Sequence, residues 1–497
     1  MPISMRGHAD AILAGIGLDR GAPGPLYRQL TAQLRGLIDS GRLPAGTRLP
    51  ASRALAEGLG ISRTTALQAI DQLAAEGYLD GRPGSGTFVA ALTPAPAAGG
   101  SAVAGQAVAP PAEPSGAGQP FHPGVPDAAA FPARAWARHL QAAWRAPATG
   151  LLTMQHAAGQ PELRAAIASH LRSFRGLDCG PANVLVTGGI RDALALVGQA
   201  LLPAGAPVAV EDPGFPPLRT ALQAQGRPVL PCPVDGDGLR VADLATRAAG
   251  TCALTVTPSR HYPLGATMPL PRRIALLDWA GATGAWILED DYDSEFRYAG
   301  QPVPPLAALD RAGRVLYLGS FSKVMFPSLR LGYLVADGDT VARLATARPR
   351  HSDPPSAVPQ PALAAFIDSG GFARHLRRMR RLYQARQAAF LSAFHAALSP
   401  WLVAAPAPAG MHLVAHRGPA LPARMTDLQL SALAASFGLS VPPLSACYAA
   451  LPAGAGARAR PFGLVFGYAG VAEPVAARFL QRLAAAIAGD CAAPGSL

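Results

Sequence analysis

The sequence has 497 residues, half of them hydrophobic, and a formal net charge of +12. This length and composition allow two or three domains with cores of their own, and they exclude a disordered chain. Pro, Gly or charged residues interrupt every apolar stretch before the roughly 18 residues that a membrane span needs, so we expect no membrane partner.

After a tail (residues 1–23), the segment 24–92 predicts a small helical module that ends in a hairpin. Leucines recur at helical spacing in its first helix, and Gly41 ends that helix. Ser52 and Ser62 are placed to cap the next two helices. The predicted helices and hairpin strands are Pro25–Ser40, Arg53–Leu59, Arg63–Glu76, Tyr78–Asp80 and Thr87–Val89.

The order helix, helix–turn–helix and hairpin is typical of a winged helix. The second helix of such a motif enters the major groove with its first residues nearest the base edges, and the hairpin tip meets the minor groove or the backbone. Arginine can read guanine through two hydrogen bonds, and hydroxyl groups contact phosphates or bases. The residues predicted to contact DNA on this basis are Arg53, Arg63, Thr64, Thr65, Arg82 and Gly84.

The segment resembles the GntR-type winged helix through Pro25–Tyr27, Gly46–Arg53, Gly60–Thr65 and Gly77–Leu79. The resemblance implies a double-stranded DNA operator as partner. Net charge gives little support by itself, because residues 1–93 hold nine Arg and seven acidic residues and most of the positive excess lies downstream.

Residues 93–120 are predicted to be a linker. This stretch contains almost only Ala, Pro, Gly, Ser, Val and Gln, and Glu113 is its single charged residue. Such a composition cannot bury a core, so it indicates a semi-flexible tether between two independent domains.

Residues 121–497 predict a second, α/β domain, because apolar runs alternate with helical patterns. Its sheet is expected to have helices on both faces. The predicted strands are Asn183–Val186, Ala206–Val210, Cys252–Val256, Ala285–Leu288 and Val315–Leu318, and the predicted helices include Ala135–Ala143, Pro161–Phe174 and Phe372–Phe390.

Lys323 is the single lysine among 43 basic Lys and Arg residues. Arginine replaces lysine in ion pairs, but a guanidinium cannot act as the nucleophilic amine of a Schiff base. The lysine follows a predicted buried strand in a turn that also carries Ser320 and Ser322, and Arg330 lies seven residues further on. These residues can hold a phosphate beside the amine, so the turn predicts covalent chemistry with a phosphorylated aldehyde.

Two further strand ends carry polar or glycine-rich turns that converge on the same chemistry. Thr187–Leu194 includes the turn Gly189, Ile190 and Arg191 at a predicted helix start, where free N–H groups favour a phosphate. In Ile287–Tyr298, Asp290 can pair with a protonated pyridine nitrogen and Tyr292 can hydrogen-bond a ring oxygen. Phe215 is either a plate that stacks on that ring or part of the core.

A lysine, an aspartate, a phosphate site and an aromatic residue together indicate pyridoxal 5′-phosphate. The segments Glu289–Tyr298, Ser320–Lys323 and Pro327–Tyr333 resemble fold-type I aminotransferases, and most closely the MocR family. In that family a GntR-type winged helix is tethered to an aminotransferase-like domain. The resemblance implies a Schiff base on Lys323, the roles above for the other residues, and a head-to-tail homodimer.

The chain departs from the family pattern at two places that bear on function. Arg260-His261 stands where His-Gln is common, and Val465 occupies the position at which aminotransferases carry an arginine for the substrate carboxylate; Arg458 and Arg460 are out of register. Without that arginine an amino acid is held poorly for transamination, which favours a sensor.

We therefore expect a transcription regulator that senses an amino compound or pyridoxal phosphate through Lys323. The alternatives are a working aminotransferase with an appended DNA module, and a regulator of vitamin B6 supply whose effector is the free cofactor. Five scattered cysteines without metal-ligand spacing, and a poor secretory signal around Asp10 and Asp19, indicate a cytoplasmic protein.

The predicted helix Phe372–Phe390 has arginines on one face (Arg374, Arg377, Arg378 and Arg381) and apolar residues on the other. The arginine face is expected to be solvated or to meet another subunit, with contact to DNA phosphates as the second interpretation.

Overall fold

The computed structural model describes residues 15–91, 118–148, 151–152, 156–301, 303–350, 353–449 and 461–492. The chain forms two compact units, which divide between Pro111 and Ala112. Most of the predicted linker and of the N-terminal tail lies outside the described residues, so the limits at 24, 92 and 120 stay predictions. Among the described residues, no helix combines the length and the apolar surface needed to cross a membrane.

The first unit has the predicted order of three helices and an antiparallel hairpin. Its elements are α1 (Leu26–Asp39), α2 (Ser52–Leu59), α3 (Arg63–Ala75), β1 (Leu79–Arg82) and β2 (Gly86–Val89). Leu30 and Leu34 of α1 and Leu73 of α3 are fully buried in its core. The winged-helix prediction is confirmed in fold.

The two predicted helix caps have different outcomes. Ser62 caps α3, because its hydroxyl accepts a hydrogen bond from the Thr65 N–H at 3.1 Å. The prediction for Ser52 is wrong: α2 begins one residue earlier, Ala51 occupies the cap position, and no side chain caps this helix.

The second unit is larger and alternates strands with helices. Its elements are α4 (Ala133–Arg145), α5 (Pro161–Arg175), β3 (Val184–Thr187), α6 (Ile190–Ala200), β4 (Val208–Asp212), α7 (Pro216–Ala224), β5 (Val229–Asp235), β6 (Gly238–Leu239), α8 (Leu244–Arg247), β7 (Ala253–Val256), α9 (Leu270–Thr283), β8 (Trp286–Asp291), α10 (Leu306–Leu309), β9 (Val315–Ser320), α11 (Phe321–Val324), β10 (Gly332–Val335), α12 (Gly338–Ala347), α13 (Gln360–Asp368), α14 (Gly371–Leu398), β11 (Leu402–Val403), β12 (His412–Arg417), α15 (Asp427–Ser436), β13 (Leu464–Gly467) and α16 (Glu473–Ala492).

Eight of these strands form one sheet in the order β3-β10-β9-β8-β7-β4-β5-β6. Strands β9, β8, β7, β4 and β5 run parallel, whereas β10 is antiparallel to both of its neighbours. Leu316 and Leu318 pack into the cluster on one face, while Tyr317 packs into the cluster on the other. Both faces are therefore covered, as an α/β sheet requires.

A second, three-stranded antiparallel sheet of β11, β12 and β13 lies later in the unit. Its apolar side chains share a core cluster with those of α14 and α16, the two long helices of this part of the chain. The predicted strands did not include this sheet; β11 has only two residues, and β12 lacks a continuous apolar run.

Candidate cofactor site and DNA-binding surface

The ends of four neighbouring strands bring the predicted site residues to one edge of the large sheet. Gly332, the first residue of β10, pairs with Thr187 at the end of β3 and with Ser320 at the end of β9. Asp291, at the end of β8, pairs with Gly319. The glycine turn, the lysine turn and the acidic turn are thus adjacent in space although they are far apart in sequence.

The glycine turn supplies backbone donors rather than side chains. Gly189 has φ 106° and precedes α6, whose first N–H groups have no partner within the helix. Ile190 packs against the core and the Arg191 side chain is exposed. Asp192 accepts a hydrogen bond from the Gly188 N–H at 2.8 Å and fixes the turn. The helix start therefore offers an anion site built from main-chain groups.

The lysine turn places hydroxyl groups beside that helix start. Ser320 caps the short helix α11 by accepting a hydrogen bond from the Ser322 N–H at 3.2 Å. Arg330 is exposed, with φ 51°, and stands two residues before β10. Ser320, Ser322 and Arg330 therefore all lie at the end of β9 or in its connection to β10, at the edge of the sheet where the glycine turn lies.

Lys323 lies in α11, close to the chain segment that opens the second unit. Burial lowers the pKa of its amine, and the carboxyls of Asp290 and Asp293 oppose that shift. A Cβ atom placed on Gly124 would lie 3.0 Å from the Lys323 Nζ atom. The amine is therefore held near acids and directly against the backbone at Gly124.

Asp290 is distinguished from the acids on either side of it. Glu289 accepts hydrogen bonds from two backbone N–H groups, and Asp291 accepts one from the Tyr317 hydroxyl at 2.6 Å and pairs with Arg175 at 2.9 Å. Strand alternation points Asp290 to the opposite face, where no described residue hydrogen-bonds its carboxylate. Burial, together with the neighbouring Asp291 charge, raises its pKa to about 7. A buried carboxyl without a partner fits a protonated ring nitrogen.

Tyr292 belongs to a buried network that the sequence did not reveal. Arg260 donates from Nη1 to the Tyr292 hydroxyl oxygen and to the Asp293 carboxylate, both at 3.1 Å. It also donates to the carbonyls of Ala409 at 3.0 Å and His412 at 2.7 Å. Because Arg260 donates to the phenol oxygen, the Tyr292 proton is free to point elsewhere.

Phe215 and Asp290 line one cleft. Phe215 is half-buried and meets Tyr262 edge-on, with the ring centres 5.1 Å apart. Glu211, also in the cleft, accepts hydrogen bonds from the Thr257 N–H at 3.0 Å and hydroxyl at 2.6 Å. Burial raises the Glu211 pKa to about 8, so this carboxyl is protonated near neutral pH.

The segment from 120 to 127, which we call the strap, crosses this site. The Gly467 N–H donates to the Phe121 carbonyl at 2.7 Å, and the Ser440 N–H donates to the Pro120 carbonyl at 3.0 Å. His122 Nδ1 lies 2.8 Å from the Ser440 hydroxyl. Burial and the Lys323 charge both lower the His122 pKa. The strap thus joins the lysine to β13 and lies next to the linker in sequence.

The side chain at position 465 cannot bind a substrate carboxylate. Val465 is fully buried in β13 and faces Val414 of β12. Arg458 and Arg460, the nearest arginines in sequence before it, lie outside the described residues.

The residues predicted to contact DNA lie on the recognition helix, the preceding helix and the hairpin of the first unit. Arg53 and Arg63 are exposed, and the Arg53 side chain reaches Glu57 at 3.4 Å. Thr64 is exposed, whereas the Thr65 hydroxyl is hydrogen-bonded to the Ser62 hydroxyl at 2.8 Å. Arg82 stacks over the Phe88 ring at 4.8 Å, and Gly84 has the positive φ of the hairpin turn.

Comparison with known proteins identifies both units. A model of aminotransferase class I and II matches residues 126–457, and a model of bacterial regulatory proteins of the gntR family matches residues 26–89. The chain is 40% identical to a probable rhizopine catabolism regulatory protein, MocR, of Rhizobium meliloti, over 91% of this chain and 92% of that protein. It is also 40% identical to the pyridoxine biosynthesis transcriptional regulator PdxR of Corynebacterium glutamicum, over 75% of this chain and 79% of that protein.

Among solved structures, the second unit is similar to aminotransferases. The α-aminoadipate aminotransferase LysN of Thermus thermophilus, complexed with N-(5′-phosphopyridoxyl)-L-leucine, matches with a TM-score of 0.65 and 26% identity, over 75% of this chain and 92% of that one. An archaeal alanine:glyoxylate aminotransferase matches in fold with a TM-score of 0.67 and 23% identity, over 75% and 91% of the two chains.

Proposed function

Because the chain belongs to the MocR family, in which a gntR-type module is joined to an aminotransferase-like domain, we propose that its second unit is the sensor of a DNA-binding transcription regulator. The chain is a pyridoxal 5′-phosphate-dependent regulator of the helix–turn–helix type. When bound, this cofactor supplies an aldehyde that bonds to a primary amine and a ring that withdraws electrons.

The arrangement of the site supports a specific set of roles. Lys323 supplies the amine that bonds the aldehyde, Asp290 holds the ring nitrogen and Tyr292 donates to the ring hydroxyl oxygen. Phe215 stacks on the ring. The phosphate is held by the hydroxyls, the guanidinium and the main-chain groups at the sheet edge, namely Ser320, Ser322, Arg330, Gly189, Ile190 and Arg191. The orphaned Asp290 carboxyl and the free N–H groups of α6 support this assignment.

The single observation that carries the sensor function is the contact between Gly124 and Lys323. A group that bonds to the lysine, or leaves it, acts on the strap, and the strap continues into the chain that leads to the DNA-binding module. A ligand that stabilises one strap conformation therefore shifts the equilibrium between conformations that bind DNA differently. The direction of that shift decides between activation and repression.

The effector is either an amine whose binding does not require an arginine for a carboxylate, or pyridoxal phosphate itself. Val465 provides no charge, and the Arg260 guanidinium is already engaged by Tyr292, Asp293 and two carbonyls. The similarity to a regulator of pyridoxine biosynthesis supports the cofactor as effector. A working aminotransferase remains the rival function, and the lack of an arginine at position 465 counts against it.

The test uses the DNA upstream of the gene, narrowed to an operator by footprinting. We expect pyridoxal phosphate, with or without added amines, to change the operator affinity of the wild-type protein. Lys323→Arg keeps the charge but not the nucleophilic amine, so it should bind the operator and lose the response. A Lys323→Arg protein that still responds would refute the proposal. Steady turnover of an amino donor with an oxo-acid would establish the rival.

The assembly and its location follow from operator binding. We propose a head-to-tail homodimer that places one winged helix on each of two half-sites, because helix–turn–helix dimers match operators of two-fold symmetry. A DNA partner supports a cytoplasmic location. Sedimentation of the free and operator-bound protein measures the subunit number.

A further inference from the structure

Most of the positive charge of the chain lies outside its DNA-binding module. The formal net charge is +12, yet residues 1–93 contribute nine Arg against seven acidic residues. The remaining excess therefore belongs mainly to the second unit. A positively charged surface there needs a negatively charged partner or solvent.

Part of this excess is concentrated on α14. This 28-residue helix contains six arginines and no acidic residue. Four of the arginines recur at positions i, i+3, i+4 and i+7 and so lie on one face of the helix. We call this set the arginine stripe; its members are Arg374, Arg377, Arg378 and Arg381. Over seven residues the stripe extends about 10 Å along the helix.

The opposite face of α14 fixes the stripe in place. Phe372, Leu376, Met379 and Tyr383 are buried in the main core of the second unit. Because these side chains are held by packing, the helix cannot rotate, and the arginines have to point outward. All four are exposed.

Within the part of the chain that the structure describes, Arg377, Arg378 and Arg381 have no hydrogen-bond or ion-pair partner. Arg374 donates to the Ser369 carbonyl at 3.1 Å. By contrast, the exposed Arg240 of the same unit is paired with Asp243 at 3.2 Å. The stripe is therefore an uncompensated positive surface on a rigid support.

We propose that the arginine stripe binds the phosphate backbone of double-stranded DNA that flanks the operator. This inference rests on operator binding by the first unit. DNA fits because it presents a row of regularly spaced negative charges to a row of guanidinium groups. The two units are joined by one chain, so operator binding raises the effective concentration of nearby DNA at the stripe to the millimolar range. A contact that is weak by itself then becomes occupied.

The test compares two matched double variants of the full-length protein. Arg377→Gln/Arg381→Gln removes two stripe charges at i, i+4 spacing. Arg134→Gln/Arg138→Gln removes two exposed charges at the same spacing on α4. Each protein is titrated with two operator duplexes, one ending at the footprint of the winged helices and one extended on both sides, at several salt concentrations. Sedimentation of each protein records the subunit number.

Each subunit of the proposed homodimer loses two stripe charges, so with the extended duplex we expect the stripe variant to have a shallower salt dependence by about 3.6 in the slope of log K against log salt. Between 50 and 200 mM salt the wild-type protein should then lose about 150-fold more affinity than the stripe variant. With the short duplex, the two should match. The α4 variant should behave as wild type throughout.

Equal effects of the two double variants would overturn the proposal, because net charge alone would then explain them. Unchanged slopes on both duplexes would also overturn it, and so would a changed subunit number in the stripe variant, which would assign the surface to a subunit interface. Failure of the wild-type protein to respond to pyridoxal phosphate would instead refute the proposed function, since the salt slopes are measured without cofactor.

Discussion

Replacing Gly124 by alanine tests whether the strap senses the lysine. Gly124 has φ 72°, in the left-handed region where a Cβ atom costs roughly 1–2 kcal/mol. The new Cβ atom would also lie 3.0 Å from the Lys323 Nζ atom and 3.5 Å from its Cε atom. The 3.0 Å spacing to Nζ is tighter than van der Waals contact, so the amine or the strap has to move by a few tenths of an ångström.

The displaced amine should bond the cofactor aldehyde less well. If the added strain falls on the cofactor-bound state and is worth about 1.4 kcal/mol, the affinity for pyridoxal phosphate drops about tenfold. The visible absorption of the bound cofactor measures that affinity. Fluorescence anisotropy of a labelled operator duplex measures whether DNA binding still changes with cofactor, and we expect a smaller change than in the wild-type protein.

Gly226→Ala is the matched control. Gly226 has φ 71° but no atom within 4 Å of the position of a Cβ atom, so the variant carries the same backbone cost without the contact. All five tryptophans lie in the second unit, and their fluorescence during urea unfolding therefore reports on that unit alone. Similar losses of stability are expected for the two variants. The sensing role of the strap is refuted if both glycine variants bind cofactor equally, or if Gly124→Ala matches the wild-type protein.

Three further outcomes follow from the structure. Glu211→Gln should reduce the pH dependence of the stability of the second unit. Burial raises the pKa of folded Glu211 to about 8, so between about pH 5 and pH 8 the folded protein holds a proton that the unfolded chain has lost. Through this group the free energy of unfolding of the wild-type protein therefore falls by about 1.4 kcal/mol per pH unit as the pH rises. Urea unfolding followed by tryptophan fluorescence at several pH values measures this, and equal slopes for the two proteins would contradict it. Asp293→Asn should lower the free energy of unfolding by about 3–5 kcal/mol in the same assay, because it leaves the buried Arg260 charge without its anionic partner. Asp235→Asn breaks a pair with Arg272 near the surface and should lower it by less than about 1 kcal/mol. Ser62→Ala should destabilise α3 by about 1 kcal/mol, seen as faster amide hydrogen exchange, while Ser52→Ala should leave exchange in α2 unchanged because the Ser52 hydroxyl caps nothing.

The central strands of the large sheet were predictable because parallel strands are buried on both faces and read as continuous apolar runs. Strand β7 began one residue later than expected. The edge strand β3 is antiparallel to β10, but it is also fully buried, and it was located within one residue of its observed limits. The ends of β8 and β9 were not predictable. Strand β8 continues through Glu289, Asp290 and Asp291, because its backbone pairs with β9 and because buried partners satisfy the carboxylates of Glu289 and Asp291. The pattern of neighbouring residues in the sequence reveals neither the pairing between strands nor the contacts with residues far away in the chain.

The polar network around Tyr292 was missed for the same reason. Arg260 is bound to the carbonyls of Ala409 and His412, which lie about 150 residues later in the chain. The one available signal was the departure of Arg260-His261 from the family pattern. That departure could be interpreted only once the structure showed the hydrogen bond from Arg260 to Asp293. The phosphate turn and its main-chain donors were predicted from the glycines before a helix, but only the structure shows that the Ile190 side chain packs against the core and that the Arg191 side chain is exposed.

The strap offers a response of the size that a regulator needs. A tenfold change in operator affinity requires a differential free energy of about 1.4 kcal/mol between the two states of the sensor. One hydrogen bond contributes about 0.5–1.5 kcal/mol net. Several polar contacts hold the strap, among them Gly467 to Phe121, Ser440 to Pro120, Ser440 to His122, and Asp127 to Tyr383 and Arg386. Losing or gaining one of them when Lys323 is occupied therefore suffices, and no rearrangement of the buried sheet is required.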